Sequence, residues 1–496
     1  MKRSAGILMP ISALPSPYGI GTLGKSAKQF VDFLVSTKQS YWQILPLGQT
    51  GYGDSPYASF SSYAGNPYFI DLDDLVKRGY LKKEEFSSIE WYRKVDSIDY
   101  ELLYQNRYKV LHYTVNRVLK KAKEDFEFFV QSEKNWLLDY ALFMVIKDLH
   151  HGGALETWKE PYKKRDKKIL QAIKDEYHEE IMFYEVIQYL FFLQWNELKT
   201  YANKKGIQII GDLPIYVARD SVEVWASPKV FQLDEDLNAK KVAGVPPDGF
   251  TEDGQLWGNP LYDWKYLKRT KYAWWIKRIH HQLKFYDVLR LDHFRGFESY
   301  FAIDAKEDTA RNGWWEKGPG IDFFHQVKKQ LGSINMIVED LGYLTPGVKK
   351  LLRESKYPGI KVLEFAFYDG SMKIEYLPHN YKKNCVAYIG THDNETLVGW
   401  LKGLSKEPMK FAKEYYKVTK KDELYEVMMT SVFHSKAELV VIQMQDYLML
   451  DNHARMNTPS TLGGNWMWRM KPNALTETVK KEVQRYTIVG NRERLK

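Results

Sequence analysis

The sequence predicts an α/β protein built on a (β/α)₈ TIM barrel, a closed ring of parallel strands that are each followed by a helix. Short apolar runs bounded by turn residues recur along the 496-residue chain, and stretches of helical period separate them. None of these runs alternates polar and apolar residues as a half-exposed strand does, so we expect strands buried on both faces of a parallel sheet. Eight runs match the number of strands in such a barrel, namely 5–10, 41–45, 207–212, 287–292, 335–339, 360–365, 386–391 and 437–444.

The intervals between the runs are unequal, and the two longest predict additions to one barrel domain that spans residues 1–496. Residues from about 52 to 206 are too many for a single crossover and show helical period, so we interpret them as a helix-rich insertion. Residues from about 214 to 286 form a second, loop-rich insertion, whose first part, 214–262, is crowded with Gly, Pro and Trp. Long loops in compact domains are usually functional. The helices predicted in the first insertion are 108–122, 135–149 and 180–201.

Aromatic residues are unusually abundant, with 15 Trp, 35 Tyr and 24 Phe in the chain. Flat aromatic faces stack on nucleobases or on the apolar faces of sugar rings, and the charge pattern distinguishes these ligands. A nucleic-acid-binding protein gathers Lys and Arg beside its aromatics, whereas the net charge of +9 is spread along this chain. Several aromatics lie instead in neutral, Gly- and Pro-rich loops at 52–57 and 255–262. The sequence therefore favours a carbohydrate ligand over a nucleic acid, although packing in the core explains most individual aromatics.

Cysteine content and apolar segments restrict the cellular setting. The single cysteine, Cys385, excludes a disulfide scaffold and a zinc site made of cysteines. Residues 1–10 imitate a signal peptide with two basic residues and an apolar run, but Pro10 breaks the run and no cleavage pattern follows. No stretch approaches the roughly 18 consecutive apolar residues of a membrane span. We therefore expect a cytoplasmic protein with no membrane partner.

Carboxylates stand at the ends of four predicted strands, where parallel barrels carry their chemistry. One such acid could simply cap the next helix, but four on a single rim indicate a reactive site. A metal site is disfavoured, because the chain has neither an H-E-x-x-H pair nor an EF-hand loop and because an arginine beside the acids opposes a cation. Paired carboxylates of opposite role are what glycosidic bond cleavage requires. The acids are Asp212, Asp292, Glu339 and Asp393, and the basic residues beside them are Arg290, His293 and His392.

Several long motifs make the chain similar to a known family. They include G-Y-G-D-S-P-Y at 51–57, G-D-L-P-I-Y at 211–216 and G-T-H-D-N-E-T at 390–396. On these residues the chain resembles the 4-α-glucanotransferases of glycoside hydrolase family 77, also called amylomaltases or disproportionating enzymes. The resemblance implies a (β/α)₈ barrel that carries insertions and lacks the separate C-terminal β-domain of the α-amylases. The other matching strings are 15–24, 45–48, 64–68, 242–248 and 464–469.

The resemblance implies roles for three acids in a retaining double displacement. Asp292 would be the nucleophile, Glu339 the general acid and then base, and Asp393 the stabiliser of the distorted sugar. Retaining enzymes place the nucleophile and the acid roughly 5 to 5.5 Å apart, and we expect this separation for Asp292 and Glu339. We further expect Arg290 to lower the pKa of Asp292 and an apolar, like-charged setting to raise the pKa of Glu339.

The resemblance also implies sugar contacts from loops around the barrel rim. A lid at 245–250 would exclude water so that transfer competes with hydrolysis. Gly249 stands where several relatives carry a tyrosine, which weakens the expectation of stacking by the lid. Ordinary loop packing is the alternative explanation for each contact. The implied substrate-binding residues are Ser55, Tyr57, Asp212, Asp248, Phe250, Gln255, Trp257, Asn259, Arg290, His293, His392 and Asn465.

The implied reaction moves α-1,4-glucan segments from a donor to the 4-hydroxyl of an acceptor through a covalent intermediate on Asp292. The implied partners are maltooligosaccharides, glucose and α-1,4-glucans, with no cofactor and no metal ion, and we expect a monomer. Two alternatives stay open. An α-1,4-glucan hydrolase would use the same residues with water as the acceptor, and a non-catalytic glycogen- or nucleic-acid-binding protein would bind without turnover.

Overall fold

The computed structural model describes residues 2–51, 53–247, 251–342 and 344–494, and the strands in these ranges form two sheets. The strands in chain order are β1 (Ser4–Leu8), β2 (Tyr41–Gln43), β3 (Gln208–Leu213), β4 (Lys241–Val245), β5 (Gln255–Pro260), β6 (Val288–Leu291), β7 (Ser299–Asp304), β8 (Trp314–Lys317), β9 (Met336–Val338), β10 (Gly359–Val362), β11 (Cys385–Tyr388) and β12 (Leu439–Gln443).

Eight of these strands close into a parallel barrel in the order β1-β12-β11-β10-β9-β6-β3-β2. Each of the eight predicted apolar runs overlaps one barrel strand, with bounds that differ by a few residues, so the predicted (β/α)₈ barrel is confirmed. Every residue of β1, β6, β10, β11 and β12 is buried, because helices cover the outside while side chains fill the inside. Burial on both faces explains why these runs show no polar alternation.

Helices surround the barrel and fill the long interval between β2 and β3. Two of the predicted helices, 135–149 and 180–201, are confirmed by α6 and α9, whereas the prediction 108–122 spans the end of α3 and all of α4. Helix α3 begins earlier because the Asp99 carboxylate caps it by accepting a 3.2 Å hydrogen bond from the Leu102 amide. The helices are α1 (Lys25–Ser36), α2 (Leu72–Lys77), α3 (Tyr100–His112), α4 (Val115–Lys121), α5 (Lys123–Ser132), α6 (Leu137–Leu149), α7 (Glu160–Lys163), α8 (Lys167–Glu176), α9 (His178–Lys204), α10 (Val222–Ala226), α11 (Trp264–Arg269), α12 (Ala273–Phe285), α13 (Ile321–Leu331), α14 (Pro346–Ser355), α15 (Leu397–Gly403), α16 (Lys406–Tyr416), α17 (Glu423–His434), α18 (Met444–Tyr447) and α19 (Glu477–Val489).

Helix α9 holds the loop segment that follows β2 through two buried glutamines. The Gln188 amide accepts from the Gly65 N–H at 2.8 Å and donates to the Gly65 carbonyl at 3.0 Å. The Gln194 amide makes the same pair of bonds to Asp71, at 2.7 and 3.1 Å. Each glutamine therefore satisfies one backbone donor and one backbone acceptor that would otherwise be buried without partners. The segment fixed in this way carries Tyr57.

A small antiparallel sheet, in the order β5-β4-β7-β8, stands beside the barrel rim. The interval 214–262 was predicted to be loop-like, and the structure differs by forming β4 and β5 there. Gly258, with φ of +76°, and Pro260 are residues that weaken a strand pattern. Strand β4 also pairs with β7, which lies far along the chain, so the local sequence gives little sign of the sheet. The predicted lid residues at 248–250 lie outside the described residues.

The chain beyond β12 adds helices and loops up to residue 494, with no further strand in the described part of that region. Among the described helices, none combines the length and the apolar character that crossing a membrane requires.

Candidate active site

The barrel brings the four predicted acids to one rim. Asp212 lies near the end of β3, Asp292 and Glu339 directly follow β6 and β9, and Asp393 follows β11. Because β6 is placed between β3 and β9 in the ring, a side chain on β6 can reach both neighbouring strands. Arg290 on β6 does so, and it joins three of the acids into one cluster.

The guanidinium of Arg290 is the electrostatic centre of this cluster. Arg290 is 1% exposed. One of its terminal nitrogens donates to Asp212, the other donates to Glu339 at 3.0 Å, and Asp292 lies 3.6 Å away. A buried cation is tolerated only when such charged partners surround it. Among the described residues, no group of three or more His, Cys, Asp or Glu is arranged to hold a metal ion.

Asp292 and Glu339 contact each other through a hydrogen bond between their carboxyl groups. Burial and the negative charge of Glu339 raise the pKa of Asp292 well above its usual value. Burial opposes the charge on Glu339 as well, but Arg290 and the hydrogen bonds to Glu339 hold the pKa of Glu339 below its usual value. These directions are opposite to the expected ones. The pair resembles other carboxylate pairs that share one proton.

The expected pKa directions of this pair therefore require correction. Arg290 does favour the charged form of Asp292, as expected, but burial and the negative charge of Glu339 outweigh it. The direct hydrogen bonds of Arg290 go to Asp212 and Glu339, which its forked guanidinium reaches across the flanking strands. The separation of roughly 5 to 5.5 Å between the two carboxyl groups stays a prediction.

His293 continues the turn after Asp292 and braces the acid pair. Its backbone adopts a left-handed conformation with φ of +47°, and its N–H donates to Glu339 at 3.1 Å. Burial lowers the pKa of the His293 ring to about 4, so the ring is neutral at neutral pH. The ring packs edge to face against Trp257, with 4.9 Å between ring centres. Trp257 is 37% exposed beside it, so its free surface faces solvent next to the acids.

Tyr57 links the loop after β2 to two sides of the rim. Its hydroxyl donates to Asp212 at 2.7 Å and lies 2.9 Å from Nε2 of His392. Because the single hydroxyl proton goes to Asp212, Nε2 of His392 must be the donor toward Tyr57. The two rings are also stacked, with 5.3 Å between centres and 17° between planes. Tyr57, Asp212 and His392 thus form one rigid wall of the site.

Asp393 is held as a carboxylate by polar neighbours. Asn457 donates to it at 2.6 Å, and Nε2 of His392 lies 3.2 Å away. Although burial opposes its charge, His392 and these hydrogen bonds keep the pKa of Asp393 well below its usual value. Arg455 donates to the Asp393 carbonyl at 2.7 Å and fixes its backbone. This acid is therefore ionised throughout the neutral range.

Several predicted sugar contacts brace loops in the structure. The Ser55 hydroxyl accepts from the Tyr57 N–H at 3.3 Å, and the Asn259 amide donates to the Val217 carbonyl at 2.8 Å. The Gln255 side chain accepts from the Trp257 indole at 3.0 Å. These bonds position the Tyr57 and Trp257 rings.

Asn465 binds within its own loop. Its side chain accepts from the Thr458 N–H at 2.9 Å and donates to the Thr461 carbonyl at 3.2 Å. The structure thus assigns Asn465 a bracing contact and leaves a sugar contact as a prediction. Asp248 and Phe250, together with Gly249, lie outside the described residues.

Three residues that lie in the site were not among those predicted from the sequence. Trp466 packs near Tyr57 and His392, with ring centres 5.9 and 6.0 Å apart, and its place inside the matching string 464–469 could have revealed it. Asn457 and Arg455 reach Asp393 from a stretch with no motif, so no signal in the sequence pointed to them.

Comparison with known proteins shows the family to which the chain belongs. The family model described as 4-α-glucanotransferase, glycoside hydrolase family 77, matches residues 9–476. A 4-α-glucanotransferase of Clostridium butyricum is 47% identical over 486 residues, which cover 98% of this chain and 100% of that protein. A 4-α-glucanotransferase of Thermus thermophilus is 44% identical over 487 residues, which cover 96% of each chain.

A solved structure is similarly close. An amylomaltase from Streptococcus agalactiae in complex with acarbose is 43% identical to this chain, with a TM-score of 0.97, and the match covers 99% of this chain and 100% of that one. The expected family resemblance is confirmed by these matches, which extend over nearly the whole chain. This chain belongs to the 4-α-glucanotransferases of glycoside hydrolase family 77.

Proposed function

We propose that this protein transfers α-1,4-glucan segments to acceptor glucans by a retaining double displacement on the barrel rim. The observation that carries the mechanism is the contact between Asp292 and Glu339, two carboxyl groups braced by a single buried arginine. Retaining enzymes need two such acids close together, one as the nucleophile and one as the proton donor.

The first step requires one protonated carboxyl group and one carboxylate. Two carboxyl groups that share one proton supply both. A strongly interacting pair loses its protons in two separate steps, and between them it holds one proton. Catalysis needs that proton on Glu339 and the negative charge on Asp292. A sugar bound between the two acids replaces their hydrogen bond, which leaves Glu339 facing the glycosidic oxygen and Asp292 facing C1.

Both chemical steps use the same two carboxyl groups and the same sugar carbon, C1. In the first, the Asp292 carboxylate attacks C1 as the C1–O bond breaks, and Glu339 gives its proton to the departing 4-oxygen. A glucosyl ester on Asp292 and a shortened glucan result. In the second, Glu339 takes the proton from the 4-hydroxyl of an acceptor, whose oxygen displaces Asp292 from C1 and restores the α-linkage.

Asp393 acts beside these steps as a fixed negative charge. Its hydrogen bond from Asn457 and its contact with His392 keep it ionised and oriented. We assign it the role of holding the sugar hydroxyls and of stabilising the positive charge that develops on the ring, because hydrogen bonds that strengthen in such a transition state contribute several kcal/mol.

Aromatic surface beside the acids favours an acceptor sugar over water. The exposed part of the Trp257 ring lies next to His293, one residue from the nucleophile. A glucose ring stacked there would occupy the approach to the ester. Hydrolysis is the remaining alternative. The cytoplasmic location, the monomeric state and the division into insertions at about 52–206 and 214–286 stay predictions.

Incubation with maltotriose tests the reaction class. Transfer should yield glucose and longer maltooligosaccharides with no net gain in reducing ends. A steady rise in reducing ends would identify a hydrolase instead, and an unchanged substrate would exclude both activities. The Asp292→Asn variant is the control for contaminating activity and should leave maltotriose intact.

A further inference from the structure

Asp340 directly follows the proposed general acid Glu339, and it is a buried acid that the chemical steps do not use. It is 1% exposed. One of its carboxylate oxygens accepts a hydrogen bond from the Ile360 N–H at 2.7 Å, and the other lies 3.7 Å from Nζ of Lys361. Burial raises the pKa of Asp340 to about 6, so the side chain is mainly a carboxylate at neutral pH. Both partners belong to β10, the strand next to β9 in the barrel.

The backbone of Glu339 is held on the side of β6 by its own hydrogen bonds. Its N–H donates to the Leu291 carbonyl and its carbonyl accepts from the Phe294 N–H, both at 3.0 Å. On the other side the strand pairing is shorter, because β9 has three residue pairs in register with β6 but a single pair with β10. The bond between the Asp340 side chain and the Ile360 N–H therefore adds a link to β10 directly after the acid.

This link depends on a close approach of the Asp340 carboxylate to the backbone of β10. A Cβ atom at Gly359 would lie 2.5 Å from one carboxylate oxygen of Asp340 and 2.7 Å from its carboxyl carbon. Both distances are well below the roughly 3.5 to 4.0 Å of a favourable contact between non-bonded atoms. Glycine at this position therefore gives the carboxylate the room to reach the Ile360 N–H.

We propose that Asp340 is a positioning residue, which aims the Glu339 carboxyl group at the glycosidic oxygen by fastening the chain after β9 to β10. This inference rests on the proposed transferase function. When substrate binds, Glu339 exchanges its hydrogen bond to Asp292 for one to the sugar, so its backbone must be held while its partners change. A misplacement of about 1 Å can slow a reaction roughly 100-fold. Asp340 acts through the backbone of Glu339 and transfers no proton itself.

Asp287 offers a matched control at the opposite end of the barrel. It precedes β6, whereas the reactive acids lie at the other ends of the strands. Its carboxylate also accepts from a strand N–H, that of Ile209 at 2.8 Å, and it also lies beside a lysine, with 3.6 Å to Nζ of Lys199. Removal of Asp287 should therefore disturb the barrel in a similar way without moving Glu339.

The test compares two donors that differ in their need for a proton. Maltotriose requires Glu339 to protonate the departing oxygen, whereas fluoride leaves α-maltosyl fluoride without a proton. In Asp340→Ala we expect kcat/KM to fall about 100-fold for maltotriose, measured by glucose release, and less than about threefold for α-maltosyl fluoride, measured by fluoride release. The ratio of the maltotriose value to the fluoride value does not depend on the folded fraction of the enzyme.

Three further variants change or preserve the same link. Asp340→Asn keeps a side-chain oxygen that can accept from the Ile360 N–H, so it should restore most of the ratio. Gly359→Ala leaves Asp340 in the chain but displaces its carboxylate. It should lower the ratio as Asp340→Ala does, and it gives the answer if Asp340→Ala fails to fold. Asp287→Ala should leave the ratio within about twofold of the wild type.

Two outcomes overturn the inference. One is an unchanged ratio in Asp340→Ala, because a purely structural role lowers the activity on both donors equally. The other is a fall of the ratio in Asp287→Ala as large as that in Asp340→Ala. The wild type separates these outcomes from a failure of the proposed function. Transfer from maltotriose by the wild type with an unchanged ratio in Asp340→Ala overturns only the positioning role, whereas a wild type inactive on both donors overturns both.

Discussion

The barrel rim and the small sheet contribute to one site by different physics. At the rim, Arg290, Asp212 and Tyr57 are joined by hydrogen bonds, so each orientation depends on its neighbours. On the sheet, Trp257 and Trp315 each keep more than a third of their surface exposed. The difference teaches that the acids at the rim belong to a buried network of charges that tolerates little change, whereas the exposed rings of the sheet can be replaced without disturbing that network.

The largest effect should follow removal of either contacting acid. Asp292→Asn removes the proposed nucleophile and Glu339→Gln removes the proposed proton donor, so each should lower kcat on maltotriose by roughly 10⁴-fold or more. Circular dichroism should be unchanged.

A maltosyl fluoride donor separates the two roles, since fluoride leaves without a proton. Glu339→Gln should form the covalent ester from it, and Asp292→Asn should not. Maltotriose turnover at the wild-type rate in either variant would contradict the mechanism.

The barrel and the small sheet should differ in how much a leucine contributes to the free energy of unfolding. Leu289 on β6 is fully buried, whereas Leu256 on β5 is exposed. Leu289→Ala leaves a cavity in the barrel and should lower the free energy of unfolding by about 2 to 5 kcal/mol. Leu256→Ala should change it by about 0.5 kcal/mol or less. Urea unfolding followed by fluorescence measures both, and equal losses would show that the sheet is as integral to the folded core as the barrel.

A smaller effect on kcat is expected when the uncharged side chain that hydrogen-bonds to Asp393 is removed. Asn457→Ala removes a hydrogen bond from the Asp393 carboxylate, and kcat at neutral pH should fall about tenfold. Loss of this donor also raises the depressed pKa of Asp393. As the pH falls, Asp393 becomes protonated earlier, so the acidic limb of the kcat profile should move to higher pH. Asn465→Ala is the control, because the Asn465 contacts lie in its own loop and should leave that limb in place. If the acidic limb of the kcat profile lies at the same pH in Asn457→Ala as in the wild type, protonation of Asp393 does not determine that limb.

Much of the site could be predicted because strand ends carry a local signal. Asp212, Asp292 and Glu339 each end an apolar run, and the closed barrel guarantees that such ends meet at one rim. What escaped prediction depends on contacts between distant segments. Asn457 and Arg455 reach Asp393 from more than 60 positions away, and their own sequence surroundings look like an ordinary loop.

The same reasoning explains the wrong pKa directions. Arg290 is two residues from Asp292, so the sequence suggests that the two side chains pair. The ring order places β6 between β3 and β9, and the guanidinium fork reaches Asp212 and Glu339 on those strands instead. The small sheet was missed for a related reason, because β4 and β7 pair across a long stretch of chain.

The two glutamines of α9 make the active-site loop dependent on a remote helix. Gln188 and Gln194 each hold both the N–H and the carbonyl of one residue in the segment after β2, as a neighbouring strand would. Local opening of α9 would release both anchors at once and free Tyr57 to move away from Asp212. We therefore expect heat to inactivate the enzyme before the barrel melts, so that its working temperature is limited by the helical segment and not by the ring of strands that carries the acids.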